Sequence, residues 1–206
     1  MDKVVGDAVH AMFGAPADQL DHAERAVGCA QAMDTFAEQF RRSRREQGVE
    51  LGQTRIGVHS GRAIVGNFGG DSYFDYTAHG DAVNTAARLE SANKFLGTRV
   101  CVSASTVDRI AIFSGRPVGV AAVKGKTERL KLFEPVDQDG PDAPRMPDYQ
   151  SAYELMEAGD AGASQAFAAY VGKHGEDPLA MFHLKRLLAG ERGVDGEVVR
   201  SRTAYL

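Results

Sequence analysis

Two polar side chains late in the first half of the chain have types and spacing that suit a phosphorylated ligand. Asn84 and Arg88 stand four residues apart, shortly after a predicted turn at Gly80. Residues at this spacing share one face of a helix, so the amide stacks on the guanidinium. A guanidinium offers a planar fork of donors to phosphate oxygens, and an amide can orient a sugar or phosphate oxygen. The pair is therefore a candidate phosphate-binding site.

The amino-terminal segment adds a cation and a carboxylate. Lys3 precedes Asp7 by four residues across a predicted tight turn at Gly6. A carboxylate can hold a divalent metal ion. A bound metal ion, together with a guanidinium that donates to phosphate oxygens, is the minimum that a nucleotide site requires. A lone Gly-Asp pair is also typical of an exposed hairpin turn, so both interpretations of Asp7 are open on these residues alone.

Several ordered sequence blocks resemble the class III adenylate and guanylate cyclases. They are Lys-x-x-Gly-Asp with the following Ala-Met-Phe-Gly-Ala-Pro, then Arg-Ile-Gly-Val-His-Ser-Gly, then Tyr-Thr-Ala-x-Gly-Asp-Ala-Val-Asn-x-Ala-Ala-Arg-Leu-Glu, and finally Val-Lys-Gly-Lys. Each block alone is a weak signal, but their order over more than half of the chain is specific. The resemblance implies that the 3′-hydroxyl of ATP or GTP attacks the α-phosphorus and pyrophosphate leaves.

The resemblance also implies the roles of six residues. They are the catalytic residues Asn84 and Arg88, the substrate-binding residues Lys3, Thr77 and Lys124, and the metal ligand Asp7. Lysine and threonine at the two base-reading positions imply ATP as substrate and cyclic AMP as product, in intracellular signal transduction. The implied metal is Mg²⁺, with Mn²⁺ as a substitute.

The family pattern further implies a homodimer with shared active sites. In that arrangement Asp7 of one protomer serves a site built from the other residues of its partner. Class III cyclases carry another metal aspartate upstream of Lys-x-x-Gly-Asp, in a Phe-x-Asp…Gly-Phe-Thr segment, which has no counterpart before Lys3. We therefore expect an N-terminally truncated cyclase domain, a fragment of a longer signalling protein, with little turnover alone.

Strands that alternate with helices predict an α/β fold, namely a ferredoxin-like mixed sheet that lacks its first strand. The predicted strands flank Gly6-Asp7 as a hairpin, pair residues 54–58 with 63–66, and follow at 100–102, 118–123 and 129–133. Asp21 and Glu24 predict a capping box at the start of a helix that stops before Gly48. A second helix is predicted to carry Asn84 and Arg88, and a short one to lie near 105–110.

The carboxyl-terminal part has a different composition. We expect the cyclase domain at 1–136, a linker at 137–147 and a small all-α, TPR-like tail at 148–206. Asp177 and Pro178 predict the start of its third helix. One partial repeat buries little surface alone, so the tail either packs on the domain or is the remnant of a longer array.

Composition excludes some classes of protein. The 206 residues carry a formal net charge of −4, which argues against nucleic acid as a partner. Cys29 and Cys101 lie far apart, so we expect neither a disulfide framework nor a zinc site. No apolar run approaches the ~18 residues of a membrane-spanning helix. These features predict a cytoplasmic protein or the cytosolic part of a membrane-anchored one.

His59 and His79 lie near the site blocks but lack neighbours at metal-ligand spacing, so we expect structural roles for both. Three functions remain open from the sequence. The first is a catalytic adenylate cyclase domain, and the second is an inactive nucleotide-binding or regulatory module that serves as a dimerisation partner. The third is an interaction protein in which the helical tail matters most. The set of six site residues favours the first, and the missing amino-terminal part favours the second for this polypeptide taken alone.

Overall fold

The computed structural model describes residues 3–70, 73–122 and 129–196 of the chain. Its strands are β1 (Lys3–Val5), β2 (Ala8–His10), β3 (Ile56–Val58), β4 (Ile64–Gly70), β5 (Tyr73–His79), β6 (Val100–Ser103), β7 (Gly115–Ala122), β8 (Arg129–Pro135) and β9 (Asp195–Gly196). Its α-helices are α1 (His22–Glu46), α2 (Asp81–Leu96), α3 (Ala104–Val107), α4 (Met146–Glu157), α5 (Ala163–His174) and α6 (Pro178–Leu188), with a 3₁₀ turn at Ala143–Arg145. The predicted mixed α/β architecture is confirmed.

Five strands form the main sheet in the order β3-β6-β8-β7-β9. The β3–β6 and β7–β9 pairs are parallel, while β8 runs antiparallel to both β6 and β7. In the described part of the chain, β1 and β2 form a separate hairpin, and so do β4 and β5. The predicted pairing of 54–58 with 63–66 is wrong, because β3 pairs with β6 and β4 pairs with β5.

Strand β6 divides the core into two layers because all four of its residues are buried. Side chains alternate across a strand, so Val100 and Val102 face one side while Cys101 faces the other. The valines pack with α1, through Val27 and Ala30. Cys101 lies in the larger cluster, which joins α2 to the helical tail. Helices therefore cover both faces of the sheet, as its hydrophobic character requires.

Helix α2 is held unusually close to the sheet. A Cβ atom on Gly57 of β3 would lie 2.1 Å from the carbonyl oxygen of Ala86, so only glycine permits this approach. The buried amide of Asn93 donates to the carbonyl of Ile56 at 3.0 Å and accepts from the Thr98 hydroxyl at 2.6 Å. These contacts fix the helix that carries the candidate catalytic residues.

The tail helices share the core of the sheet. Tyr149, Tyr153 and Phe167 are buried in the same cluster as Leu89 and Leu132. The Tyr149 hydroxyl also donates to the carbonyl of Pro117 in β7 at 2.8 Å. The tail was expected either to pack on the domain or to be the remnant of a longer array, and the structure shows that it packs on the sheet. Helix α4 begins at Met146, within the predicted linker.

A buried ionic network joins the tail to β7 and β8. The Arg116 guanidinium bonds the carboxylates of Glu134 and Asp177 and lies 4.7 Å from the centre of the Tyr149 ring. The Tyr170 hydroxyl donates to Asp177 at 2.8 Å. Asp177 also caps α6 by accepting from Leu179 N at 3.1 Å and Ala180 N at 3.2 Å, which confirms the predicted helix start.

The network has opposite effects on its two carboxylates. Burial raises the pKa of Glu134, although the nearby positive charge of Arg116 opposes that rise. Burial also disfavours the charged form of Asp177, but the hydrogen bond and positive charge of Arg116, together with the hydrogen bonds from Tyr170 and the Ala180 amide, lower the pKa of Asp177. Arg116 therefore acts as the shared counterion on which both buried groups depend.

The predicted capping box at the start of α1 is wrong. The Asp21 side chain makes no capping hydrogen bond. Its carboxylate instead accepts from the Arg25 guanidinium at 2.8 Å, one helical turn on. The helix ends at Glu46, and Gly48 follows with a positive φ of 78°, as a glycine stop predicts.

Candidate functional site

Helix α2 presents Asn84 and Arg88 one turn apart, as predicted. The chain reverses at Gly80, where a Cβ atom would lie 3.1 Å from the carbonyl oxygen of Arg62. Asn84 is exposed and Arg88 is half-buried. Among the described residues, neither side chain takes part in a recorded hydrogen bond or ion pair. Both polar groups can therefore engage a ligand without breaking an internal contact.

The base-reading candidates lie on β1 and β5. Thr77 is buried in β5, with 4% of its surface exposed. The Lys3 ammonium in β1 donates to Asp75 Oδ2 of β5 at 2.6 Å. Because residues two apart in a strand share one face, Asp75 and Thr77 lie on the same side of β5. The structure thus brings Lys3 to the strand that carries Thr77.

Asp75 was missed by the sequence analysis. It lies two residues before Thr77, and its significance comes only from its contact with Lys3, 72 residues away. The alternation of side chains along a strand is the one sequence signal that could have pointed to it. A carboxylate on the face of a proposed base-binding residue is a candidate partner for the base-reading lysine.

Asp7 lies in the predicted hairpin turn between β1 and β2, after Gly6 with a φ of 61°. The side chain is exposed. In the parts of the chain that the structure covers, no group of three or more histidine, cysteine, aspartate or glutamate side chains could hold a metal ion. Asp7 is therefore a single carboxylate, which alone does not fit a divalent cation that prefers six ligands.

Lys124, the predicted partner of the terminal phosphates, lies outside the described residues. The same applies to its neighbours at 123–128. Its role stays a prediction from the resemblance.

The two histidines near the site make internal contacts that agree with structural roles. His59 Nδ1 lies 2.8 Å from Ser103 Oγ and 3.2 Å from Ser105 Oγ, which ties the loop after β3 to the end of β6. The His79 ring packs on Phe68 across the β4–β5 hairpin, at 4.2 Å between ring centres. Both Cys29 and Cys101 are free thiols.

Within the described ranges, none of the helices has the length and apolar character needed to cross a lipid bilayer.

Comparison with known proteins identifies relatives of residues 3–133. This stretch matches the family model described as the adenylate and guanylate cyclase catalytic domain. The chain is 41% identical over 132 residues to adenylate cyclase 1 of Rhizobium meliloti, a match that covers 64% of the chain and 20% of that protein. An adenylate cyclase of Anabaena cylindrica is 33% identical over 139 residues, covering 65% of the chain and 27% of the relative.

A solved structure has the same fold. The adenylyl cyclase CyaB from P. aeruginosa superimposes with a TM-score of 0.59 and 35% sequence identity, over 66% of this chain and 70% of that one. The matched family region ends at residue 133, within β8, so the tail helices α4, α5 and α6 lie beyond it.

Proposed function

Because the chain belongs to the adenylate and guanylate cyclase catalytic domain family, we propose that it is an adenylate cyclase domain that converts ATP into cyclic AMP and pyrophosphate. The observation that carries this proposal is the placement of Asn84 and Arg88 on one face of α2, at the end of the strand that carries Thr77. The similarity to the adenylate cyclases of Rhizobium meliloti and Anabaena cylindrica supports ATP as the substrate.

In this proposal the residues of α2 act on the sugar and the transferred phosphate. Asn84 orients the ribose so that its 3′-hydroxyl points at the α-phosphorus, which supplies the proximity part of catalysis. The Arg88 guanidinium donates to the phosphate oxygens, where negative charge grows as the bond to pyrophosphate breaks. Lys124 is proposed to bind the terminal phosphates.

Base recognition is assigned to Lys3 and Thr77. The ammonium donates to a ring nitrogen of adenine, and the threonine hydroxyl bonds the exocyclic amine. Thr77 is buried, so a hydrogen bond between its hydroxyl and the nucleotide would form away from bulk water. The lysine reaches β5 in the structure, which supports its action at this strand.

Metal binding requires ligands beyond those that the described residues provide. Mg²⁺ or Mn²⁺, when bound, offsets charge on the phosphates and activates the attacking oxygen. Asp7 would give one ligand, and the nucleotide phosphates and further carboxylates would give the rest.

We further propose a homodimer with two shared sites. Among the hydrogen bonds and ion pairs of the described residues, none joins Asp7 to α2. A second copy would bring its own Asp7 to the α2 residues of the first, so that each site takes residues from both protomers.

A second candidate function is nucleotide binding without catalysis. The single exposed carboxylate at Asp7 favours it for this polypeptide taken alone. Such a module would bind ATP through α2 and β5 and act as a regulatory partner.

The proposed function is tested by mixing two variants of the protein. We expect Arg88→Ala to lower kcat by about 10²- to 10³-fold, as the loss of one transition-state donor does. Asp7→Ala should be similarly inactive, whereas a mixture of the two regains activity through one intact site per heterodimer. Arg25→Ala, which removes a cation bound to Asp21 on α1, is the control.

Two outcomes would count against this account. The absence of recovery in the mixture would refute the shared site, and full activity of Arg88→Ala would refute the role of α2.

A further inference from the structure

We propose that Asp75 is a positioning residue, which holds the Lys3 ammonium in place to read the purine base and so sets the preference for adenine over guanine. This inference rests on the proposed function, because it deepens the account of base recognition.

The contact joins two separate parts of the fold. Lys3 belongs to the β1–β2 hairpin and Asp75 to the β4–β5 hairpin, and the two hairpins are distinct sheets. The Lys3 Nζ and Asp75 Oδ2 atoms lie 2.6 Å apart. Since Asp75 shares a face of β5 with Thr77, the ion pair brings the ammonium to the side of the strand on which the threonine hydroxyl lies.

Such placement matters because lysine is a flexible side chain. Its four-carbon stem loses much rotational freedom when the ammonium is fixed. A contact made before the ligand arrives removes part of that loss from the binding step. An ammonium has three donors, and a bond to one carboxylate uses only one of them.

The contact also bears on the choice of base. Adenine presents an unprotonated N1 that accepts a hydrogen bond, whereas guanine presents an N1–H that repels an ammonium. An ammonium held in place distinguishes adenine from guanine. A mobile ammonium can move away from the guanine N1–H and therefore distinguishes the two bases less well. Loss of Asp75 should therefore weaken the binding of ATP more than the binding of GTP.

A purely structural role predicts a different result. The two side chains are 32% and 35% exposed, and ion pairs of this kind contribute little to folding. Removing the carboxylate should thus leave the melting temperature nearly unchanged. If Asp75 served only the fold, any effect on ATP and GTP would be equal and would follow the loss of stability.

The test measures the dissociation constants of ATP and GTP, with Mg²⁺, by calorimetry on the 206-residue chain. For Asp75→Asn we expect the constant for ATP to rise about three- to tenfold and that for GTP to change less than about twofold. The matched control is Asp21→Asn, which removes the same charge from the ion pair with Arg25 and should change neither constant. If Asp75→Asn proves unfolded, Asp75→Ser is judged by the same ratio.

A double-variant comparison shows whether Asp75 acts through Lys3. In a Lys3→Met background, Asp75→Asn should change the dissociation constant of ATP by less than about twofold relative to Lys3→Met alone. A further loss as large as that in the wild-type background would overturn the proposal. So would an unchanged ratio of ATP to GTP affinity in Asp75→Asn, although the proposed function would then stand. If the wild-type chain binds neither nucleotide, the proposed function fails and this inference fails with it.

Discussion

Replacement of His183 by leucine should remove a strong pH dependence from the stability of this protein. His183 lies in α6 and is 0% exposed, surrounded by the rings of Tyr153, Phe167 and Phe182. Across the described ranges, neither of its ring nitrogens has a hydrogen-bond partner. Burial, aided by the positive charges of Arg186 and Arg116, lowers the pKa of His183 from 6.5 to about 3. The folded protein therefore holds a neutral imidazole.

The size of the effect follows from proton linkage. Since the pKa of the folded state is below that of the unfolded state, the unfolded chain takes up a proton first as the pH falls. The stability of the fold with a neutral His183 is fully present above pH 6.5, and it is lost progressively as the pH falls toward 3. Each pH unit in that window changes the free energy of unfolding by about 1.4 kcal/mol. Between pH 7 and pH 5 the contribution of His183 falls by about 2 kcal/mol.

The measurement is urea-induced unfolding at pH 7, 6 and 5, followed by far-ultraviolet circular dichroism. Carboxylates also titrate at the lower pH, but they do so in both proteins, so the difference between wild type and His183→Leu isolates the histidine. We expect wild type to lose about 2 kcal/mol more than the variant between pH 7 and pH 5. At pH 7 the variant should be about as stable, because leucine removes two buried nitrogens that lack partners.

His22→Leu is the control, because His22 packs beside Gly14 at the start of α1 rather than in the tail. It should retain the pH dependence of wild type. Equal losses for wild type and His183→Leu would show that this imidazole gains a proton as readily when folded as when unfolded, which would refute the argument from burial.

Two further substitutions test the packing. Arg116→Met leaves the carboxylates of Glu134 and Asp177 without their counterion, and we expect a loss of about 3–5 kcal/mol in urea unfolding. Arg145→Met, which breaks a surface pair with Asp142, should change stability by less than about 1 kcal/mol, and an equal effect of both variants would contradict the role of the network. Gly57→Ala should destabilise by about 1–3 kcal/mol or more, because its Cβ would lie 2.1 Å from the Ala86 carbonyl oxygen and must displace α2. Gly28→Ala, in α1 with no atom within 4 Å of the added Cβ, should be neutral or stabilising, so similar losses at both glycines would refute the close approach of α2.

The sequence predicted features whose causes are local. The spacing of Asn84 and Arg88 identified one face of α2, and Asp177 with Pro178 identified the start of α6. The hairpin at Gly6 was likewise correct. In each case the signal lies within a few residues, where helix periodicity, capping and turn chemistry decide the conformation.

Long-range partners could not be predicted in the same way. The pairing of β3 was assigned to the next strand along the chain, but a parallel partner, β6, lies beyond α2. Asp21 was assigned to a helix cap, yet an arginine one turn away competes for its carboxylate. The bonds of Arg116 to Asp177 and of Lys3 to Asp75 span 61 and 72 residues of sequence. The type of a single residue does not indicate a partner so far away along the chain.

The common core of sheet and tail has a consequence for how this polypeptide can be divided. The matched family region ends at residue 133, yet Leu89 and Leu132 pack against Tyr149 and Phe167 from beyond that limit. A protein cut at residue 133 would lose the aromatic side chains that cover the sheet and would leave the Arg116 side chain without both of its carboxylates, Glu134 and Asp177. Chimeras that aim to transplant the catalytic unit should therefore carry all three terminal helices with it.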